Sequence, residues 1–199
     1  MNQGGKPLTI GLLALQGAYQ AHGKTLASLG VVSRLVRVPA ELEGLDGLIM
    51  PGGESTTMLK FLERNGFFDL LKQFVRTTPT FGTCAGAILL ATHVENPAQS
   101  SLEALDITIE RNAYGRQVDS SIISEQTALP GGPLEMVFIR APRIREVGPG
   151  VETLASRDGF PTLVRSGHLL AATFHPELSG DPRVHQLFLD IARQHTPHA

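Results

Sequence analysis

Cysteine is almost missing from this chain: Cys84 is the one thiol in 199 residues. No internal disulfide can form, which fits a reducing compartment. Tryptophan is absent and tyrosine occurs twice, against nine phenylalanines. These few aromatics do not alternate with basic residues, so a stacking platform for nucleic acid is excluded. Neither sign of charge dominates: the net charge is −2 and the pI about 6.4, and nothing favours a polyanionic partner. No apolar run approaches the ~20 residues that span a bilayer. Residues 1–7 hold no apolar core of signal-peptide length. There is no H-E-x-x-H and no Cys/His cluster with ligand spacing, so no metal or other cofactor is expected. Repeats, low-complexity tracts and linkers are also missing. The expectation is a cytoplasmic protein folded as one domain over residues 1–199, with 42% hydrophobic residues for its core.

What is present reads as alternating strands and helices. Leu8 to Leu15 is a nearly continuous apolar run, as a strand buried on both faces requires. Tyr19 to Leu29 is helical, with Gly30 ending it. Val31 to Val38 is β-branched but interrupted by Arg34 and Arg37, which places it near a sheet edge. Leu45 to Met50 is a third strand. Pro51-Gly52-Gly53-Glu54-Ser55-Thr56-Thr57 follows, with Ser55 or Thr56 as cap of the next helix. Phe67 to Thr77 is a further helix, and His93 to Ser101 a loop. Leu105 to Arg111 alternates apolar and polar, as a half-solvated strand does. Met136–Ile139, Val151–Ala155, Thr162–Arg165 and Leu169–Phe174 are strands, with Asp158-Gly159 as a hairpin turn. A final helix runs from Pro182 to Gln194, capped by Asp181. This rhythm predicts an α/β fold: a three-layer sandwich with a mostly parallel central sheet, flavodoxin-like.

The chemistry centres on Phe81-Gly82-Thr83-Cys84-Ala85-Gly86. A β-prone piece enters the cysteine and an apolar helix-forming run leaves it, the layout of a nucleophile elbow. The two glycines permit a sharp turn. A helix N-terminus favours the thiolate, the reactive form. On this pattern alone a nucleophile and a buried core thiol both remain open. A nucleophilic thiol needs a base, and the base a carboxylate. Phe174-His175-Pro176-Glu177 supplies both at a strand end, because residues i and i+2 of extended chain share a face. His22, His168, His185, His195 and His198 lack that combination and read as packing or surface residues. Gly52-Gly53 ahead of a helix suits an anion or a developing oxyanion, although an ordinary βα turn has the same look. All three pieces fall at the carboxyl ends of strands, where open α/β sheets bind ligands.

The blocks Leu15-Gln16-Gly17-Ala18, Pro51 to Met58, Phe81 to Gly86, Glu110-Arg111-Asn112 with Gly115-Arg116-Gln117-Val118-Asp119-Ser120, Phe138-Ile139-Arg140-Ala141-Pro142, and Phe174 to Leu178 together resemble one family. It is the glutaminase subunits of pyridoxal 5′-phosphate synthase, within the class I, triad-type glutamine amidotransferases. The resemblance implies hydrolysis of L-glutamine to glutamate and ammonia through a γ-glutamyl thioester. Cys84 would be the nucleophile, His175 the base and acid, and Glu177 its orienter. It further implies an oxyanion hole from the backbone N–H groups of Gly53 and Ala85. Gly53, Glu54, Ser55, Arg111, Ile139 and Arg140 would hold glutamine, and Gln16 would lie near the site and the partner contact. The implied partner is a (β/α)₈-barrel synthase subunit, twelve of each in the assembly, that builds the product from a pentose and a triose phosphate. The glutaminase of this family is poorly active alone. Three departures leave the proposed triad untouched: a short Gly-containing extension precedes the first strand, Ser121-Ile122 follows Ser120 where the family usually carries an aromatic, and Pro130-Gly131-Gly132-Pro133 is unusual.

Three other readings compete. A glutaminase could serve a different synthase, but the G-R-Q and I-R-A-P blocks oppose it. A non-enzymatic flavodoxin-like redox or chaperone protein would lack His-Pro-Glu. An α/β-hydrolase would carry a different nucleophile and an Asp…His order.

Overall fold

The computed structural model describes residues 7–113 and 120–195, the side chain of Asn65 excepted. The Gly115-to-Asp119 part of the family block, residues 1–6 and His198 lie outside the described residues.

The chain runs β1 (Ile10–Leu13), α1 (Tyr19–Ser28), β2 (Ser33–Val36), β3 (Gly47–Met50), α2 (Ser55–Leu62), α3 (Phe67–Phe74), β4 (Thr80–Thr83) and α4 (Ala85–Leu90). Then come β5 (Ala91–Glu95), β6 (Leu105–Glu110), β7 (Ser120–Glu125), β8 (Leu134–Ile139), β9 (Arg143–Val147), β10 (Glu152–Arg157), β11 (Phe160–Ser166), β12 (Leu169–Ala172) and α5 (Arg183–His195). Seven strands form the central sheet in the order β10-β11-β12-β4-β3-β1-β2. From β12 to β2 every pairing is parallel, and β10 and β11 join antiparallel at one edge. The parallel part, β2-β1-β3-β4-β12, has the flavodoxin-like order, whose chain reversal lies between β1 and β3.

Strand periodicity divides the core into two layers. Leu13, Leu48, Met50, Leu169 and Ala171 face one way, against Met58, Leu59 and Leu62 of α2, Phe67 and Leu71 of α3, and α4. Ile10, Leu12, Ile49, Phe81, Leu170 and Ala172 face the other way, against Leu26 of α1 and Val184, Phe188 and Leu189 of α5. Each of these strands therefore reads as apolar throughout, because it is covered on both sides. Phe81 and Phe188 are fully buried with ring centroids 5.7 Å apart. Burial of each stabilises the fold by ~1.5–3 kcal/mol.

Several expectations shift. The stretch expected as a loop from His93 begins inside β5, which pairs parallel with β6; only Ala91 and Val94 of the strand's five residues are buried, too few for an apolar signal. β7 and β9 are largely exposed and carry no clean alternation. The cap of α2 is Glu54, not Ser55 or Thr56. Val31 to Val38 does form an edge strand, as β2, and the Asp158-Gly159 turn has both residues at positive φ.

Candidate active site

Cys84 stands between β4 and α4 with φ 48° and ψ −103°. Positive φ on a residue other than glycine costs ~1–3 kcal/mol and persists only where the surroundings enforce it. Here they do. A Cβ on Gly82 would lie 2.6 Å from the carbonyl of Gly86, and a Cβ on Gly86 would lie 2.0 Å from the Met50 carbonyl oxygen. Backbone approach this close leaves the turn no room to relax. The Cys84 N–H donates to the Ala172 carbonyl at 2.8 Å, locking the elbow to the end of β12.

Three residues past β12 is His175, whose N–H donates to the Val137 carbonyl of β8 at 2.8 Å. Its ring Nδ1 donates to Glu177 Oε1 at 2.8 Å, since an ionised carboxylate only accepts. Glu177 lies in a 3₁₀ turn, Pro176–Leu178. The two side chains therefore meet through a turn and not along extended chain as expected. Cys84 and the His175 ring lie against the same point on Gly52, so thiol and imidazole are neighbours. Burial alone would lower the imidazole pKa. The influence of neighbouring Cys84 and the bond to Glu177 outweigh it and push it up to about 10. Burial likewise pushes Glu177 up, but the bond from His175 leads the effects that hold it below the usual carboxylate range.

The loop after β3 closes the site. A Cβ on Gly52 would meet His175 Cε1 at 2.3 Å, His175 Nδ1 at 2.9 Å and Cys84 Cβ at 3.3 Å. The loop after β1 braces it from behind: Ala18 N–H donates to the Gly52 carbonyl at 3.1 Å, and Glu54 N–H donates to Gln16 Oε1 at 2.8 Å. With the Gly52 carbonyl held by Ala18, the N–H of the planar trans Gly52–Gly53 peptide points the opposite way. Ala85 is the first residue of α4, so its N–H is free of intrahelical bonding.

The remaining expected residues fall around this loop and at the end of β8. Glu54 caps α2, accepting from Thr56 N–H at 3.1 Å and Thr57 N–H at 2.7 Å. Arg111, just past β6, donates to Thr56 Oγ1 at 2.7 Å and pairs with Glu54 Oε1 at 3.4 Å. Ser55 is buried and donates to Gln99 Oε1 at 3.0 Å. Ile139 ends β8, two residues past the Val137 carbonyl that holds His175, and Arg140 follows at φ 43°. Glu54→Ala is expected to cost about 1 kcal/mol of stability through the lost cap, read as a fall in the urea midpoint.

Two histidines read as packing or surface residues have a further attachment. His22 and His185 are fully buried. His22 Nδ1 lies 2.9 Å from His185 Nε2, and its Nε2 lies 3.2 Å from Thr83 Oγ1 and 3.4 Å from Glu177 Oε2. A signal was present: His185 precedes Phe188 and Leu189 by three and four positions, on the buried stripe of α5. Burial lowers His22 to about 4 and His185 to about 3. Both are depressed below the unfolded value of 6.5, so the unfolded chain takes up protons that the folded chain refuses. Their contribution to stability is present above pH 6.5 and is lost as pH falls through about 4 for His22 and about 3 for His185. His22 alone accounts for ~3 kcal/mol across that window. Urea unfolding between pH 7 and 4.5 is expected to show this loss, and to show less of it in His185→Phe.

A thiol on a strained elbow stands beside an imidazole that a buried carboxylate orients, the parts a thiol nucleophile needs, on a flavodoxin-like sheet. The sequence pattern of the SNO glutamine amidotransferase family matches residues 12–194, and this chain belongs to that family. It is 60% identical to pyridoxal 5′-phosphate synthase subunit PdxT of Koribacter versatilis, over 94% of this chain and 96% of that one. It is 47% identical to PdxT of Thermotoga maritima, over 94% of this chain and all of the other. The crystal structure of a glutamine amidotransferase, 46% identical, superposes with a TM-score of 0.85 over 92% of this chain and 98% of that one.

Proposed function

We propose that this chain hydrolyses L-glutamine to L-glutamate and ammonia as one glutaminase domain, and passes the ammonia to a synthase subunit that makes pyridoxal 5′-phosphate. The single observation that carries the chemistry is the strained Cys84 elbow beside His175, both against Gly52, with His175 oriented by Glu177 at 2.8 Å. The kinship with PdxT subunits supports the choice of product pathway.

In this reading the Cys84 sulfur attacks the side-chain amide carbon of glutamine. The carbonyl oxygen takes up negative charge opposite the N–H groups of Gly53 and Ala85. His175, which holds a proton at neutral pH, delivers it to the departing nitrogen, and ammonia leaves a γ-glutamyl thioester on Cys84. Water then attacks the thioester, His175 takes its proton, and glutamate is released with the thiol restored. Glu177 holds the imidazole tautomer and balances its charge throughout. Gly53, Glu54, Ser55, Arg111, Ile139 and Arg140 hold the substrate; Arg111 suits its α-carboxylate. If Glu54 serves glutamine as well as capping α2, Glu54→Ala also raises KM.

The partner is a (β/α)₈-barrel synthase subunit in an assembly of twelve and twelve, which adds lyase chemistry to the hydrolase. The location is the cytoplasm. Among the described residues no helix is long and apolar enough to cross a membrane. The function is tested by ammonia release from glutamine with and without the cognate synthase. Release that the synthase stimulates supports it. No release even with the synthase present contradicts it.

A further inference from the structure

We propose that His22, oriented by His185 behind it, is a positioning residue for Glu177: a neutral imidazole that turns its Nε2–H toward the carboxylate oxygen His175 does not use. The proposal rests on the triad reading of Glu177 and goes beyond it to what holds that carboxylate in place.

Glu177 has a fully buried side chain, and its Oε1 is taken by His175. Oε2 is shielded from solvent and has no hydrogen-bond partner among the described residues; His22 Nε2 faces it at 3.4 Å. A buried carboxylate oxygen without a donor carries its full desolvation penalty. Where the proton sits on His22 therefore matters, and the neighbours decide it.

The contact between His22 Nδ1 and His185 Nε2 at 2.9 Å holds one proton. If His22 supplied it, His22 Nε2 would be a lone pair that accepts from Thr83 Oγ1 at 3.2 Å but is set against Glu177 Oε2 at 3.4 Å. The proton of neutral His185 would then sit on Nδ1, a buried atom with no partner among the described residues. That arrangement sets a lone pair against a carboxylate and orphans a buried donor. If His185 Nε2 supplies the proton, His22 Nδ1 accepts it, and His22 Nε2–H bonds Thr83 Oγ1 with its positive end beside Glu177 Oε2. No ring N–H of the pair is then orphaned, and His185 Nδ1 is a bare acceptor. The N–H groups run in one direction, from His185 to His22 and on toward Glu177, with Glu177 accepting from His175 at its other oxygen.

The rings are fixed from the side as well. Phe81 meets His22 at 6.2 Å and His185 at 5.9 Å between centroids, both edge-on at 85°. The pair draws on α1, α5 and β4, all outside the turn that carries Glu177. Both imidazoles stay neutral at pH 7 because burial disfavours their charged forms. Neutrality suits a positioning role, since a second cation beside Glu177 would compete with His175 for its charge.

The test combines imidazole ¹⁵N spectra of the full chain with kinetics of variants assayed with the synthase. The expected spectra assign His22 and His185 each as the Nε2–H tautomer at pH 7; an Nδ1–H tautomer or a protonated ring at His22 would overturn the proposal. Loss of an outer partner of this kind typically costs ~10-fold or more in activity, as for the partners of metal-bound imidazoles. His22→Leu is therefore expected to lower kcat at least tenfold with KM within twofold. His22→Gln, whose amide N–H replaces Nε2–H, is expected to recover most of the loss. Full activity in His22→Leu, or equal losses in both variants, overturns the proposal. Where His22→Leu does not fold, His185→Phe and His185→Gln are judged by the same criteria. Should the wild type fail to hydrolyse glutamine with its synthase, the glutaminase reading falls, and the tautomer spectra still decide this one.

Discussion

Cys84→Ala is expected to abolish glutamine hydrolysis, with a fall of about 10⁴-fold or more, the range seen when a catalytic nucleophile is removed. Folding and synthase binding are expected to survive. Alanine keeps the Cβ and the same strained backbone, and the elbow is enforced by Gly82, Gly86 and the Cys84 N–H bond to Ala172 rather than by the sulfur. The distinction matters because Cys84 is buried, so a core thiol is the competing explanation. A core thiol replaced by alanine would lower stability by the burial of one sulfur and leave turnover alone. Ammonia release, a thermal melt and a synthase pull-down on the same preparation separate the two. Retained turnover removes the nucleophile assignment.

Gly52→Ala is expected to lower kcat by about 100-fold while the protein remains folded. The added methyl would sit 2.3 Å from His175 Cε1 and 3.3 Å from Cys84 Cβ. Real Cβ atoms do not approach so closely, so the imidazole or the loop must shift. The loop is braced from behind by Ala18 and Gln16, which directs the displacement onto His175. An error of ~1 Å in a reacting group can cost 10²-fold. The N–H of Gly53 is part of the same loop, so oxyanion stabilisation suffers with it. The expected signature is a large loss in kcat with little change in the urea midpoint. Wild-type kcat in Gly52→Ala would mean that the imidazole is not held against this glycine during turnover.

The elbow was legible in the sequence because it needs residue types that cannot be exchanged. Only glycine allows the approach of residue 82 to residue 86 and of residue 86 to Met50. The apolar strands were legible because burial on both faces removes polar residues from them. His175 and Glu177 were found through i, i+2 spacing, but a 3₁₀ turn and not extended chain brings them together. The cap of α2 fell to Glu54 because its longer side chain reaches the N–H groups of both Thr56 and Thr57, which short-side-chain cap preferences do not anticipate. His22 and His185 are buried packing residues, one of the two readings offered for them, but their contact with each other spans 163 positions, and no local spacing encodes it. β5, β7 and β9 escaped because half-exposed strands lack a strong alternation. The proposed glutamine-contact residues came from family resemblance alone. Their spacing carries no chemistry until Glu54, Thr56 and Arg111 are brought together by the ends of β3 and β6.

The central claim is that Cys84 is the nucleophile of a glutamine site, and a single cysteine makes it directly measurable. The chain, mixed with its synthase, is treated with a glutamine-shaped electrophile, 6-diazo-5-oxo-L-norleucine, and its intact mass and peptide map are read. The predicted result is one adduct per chain on the peptide that carries Cys84, with loss of ammonia release in step and protection by L-glutamine. Complete loss of activity with Cys84 unmodified, or full modification of Cys84 with turnover intact, would contradict the account.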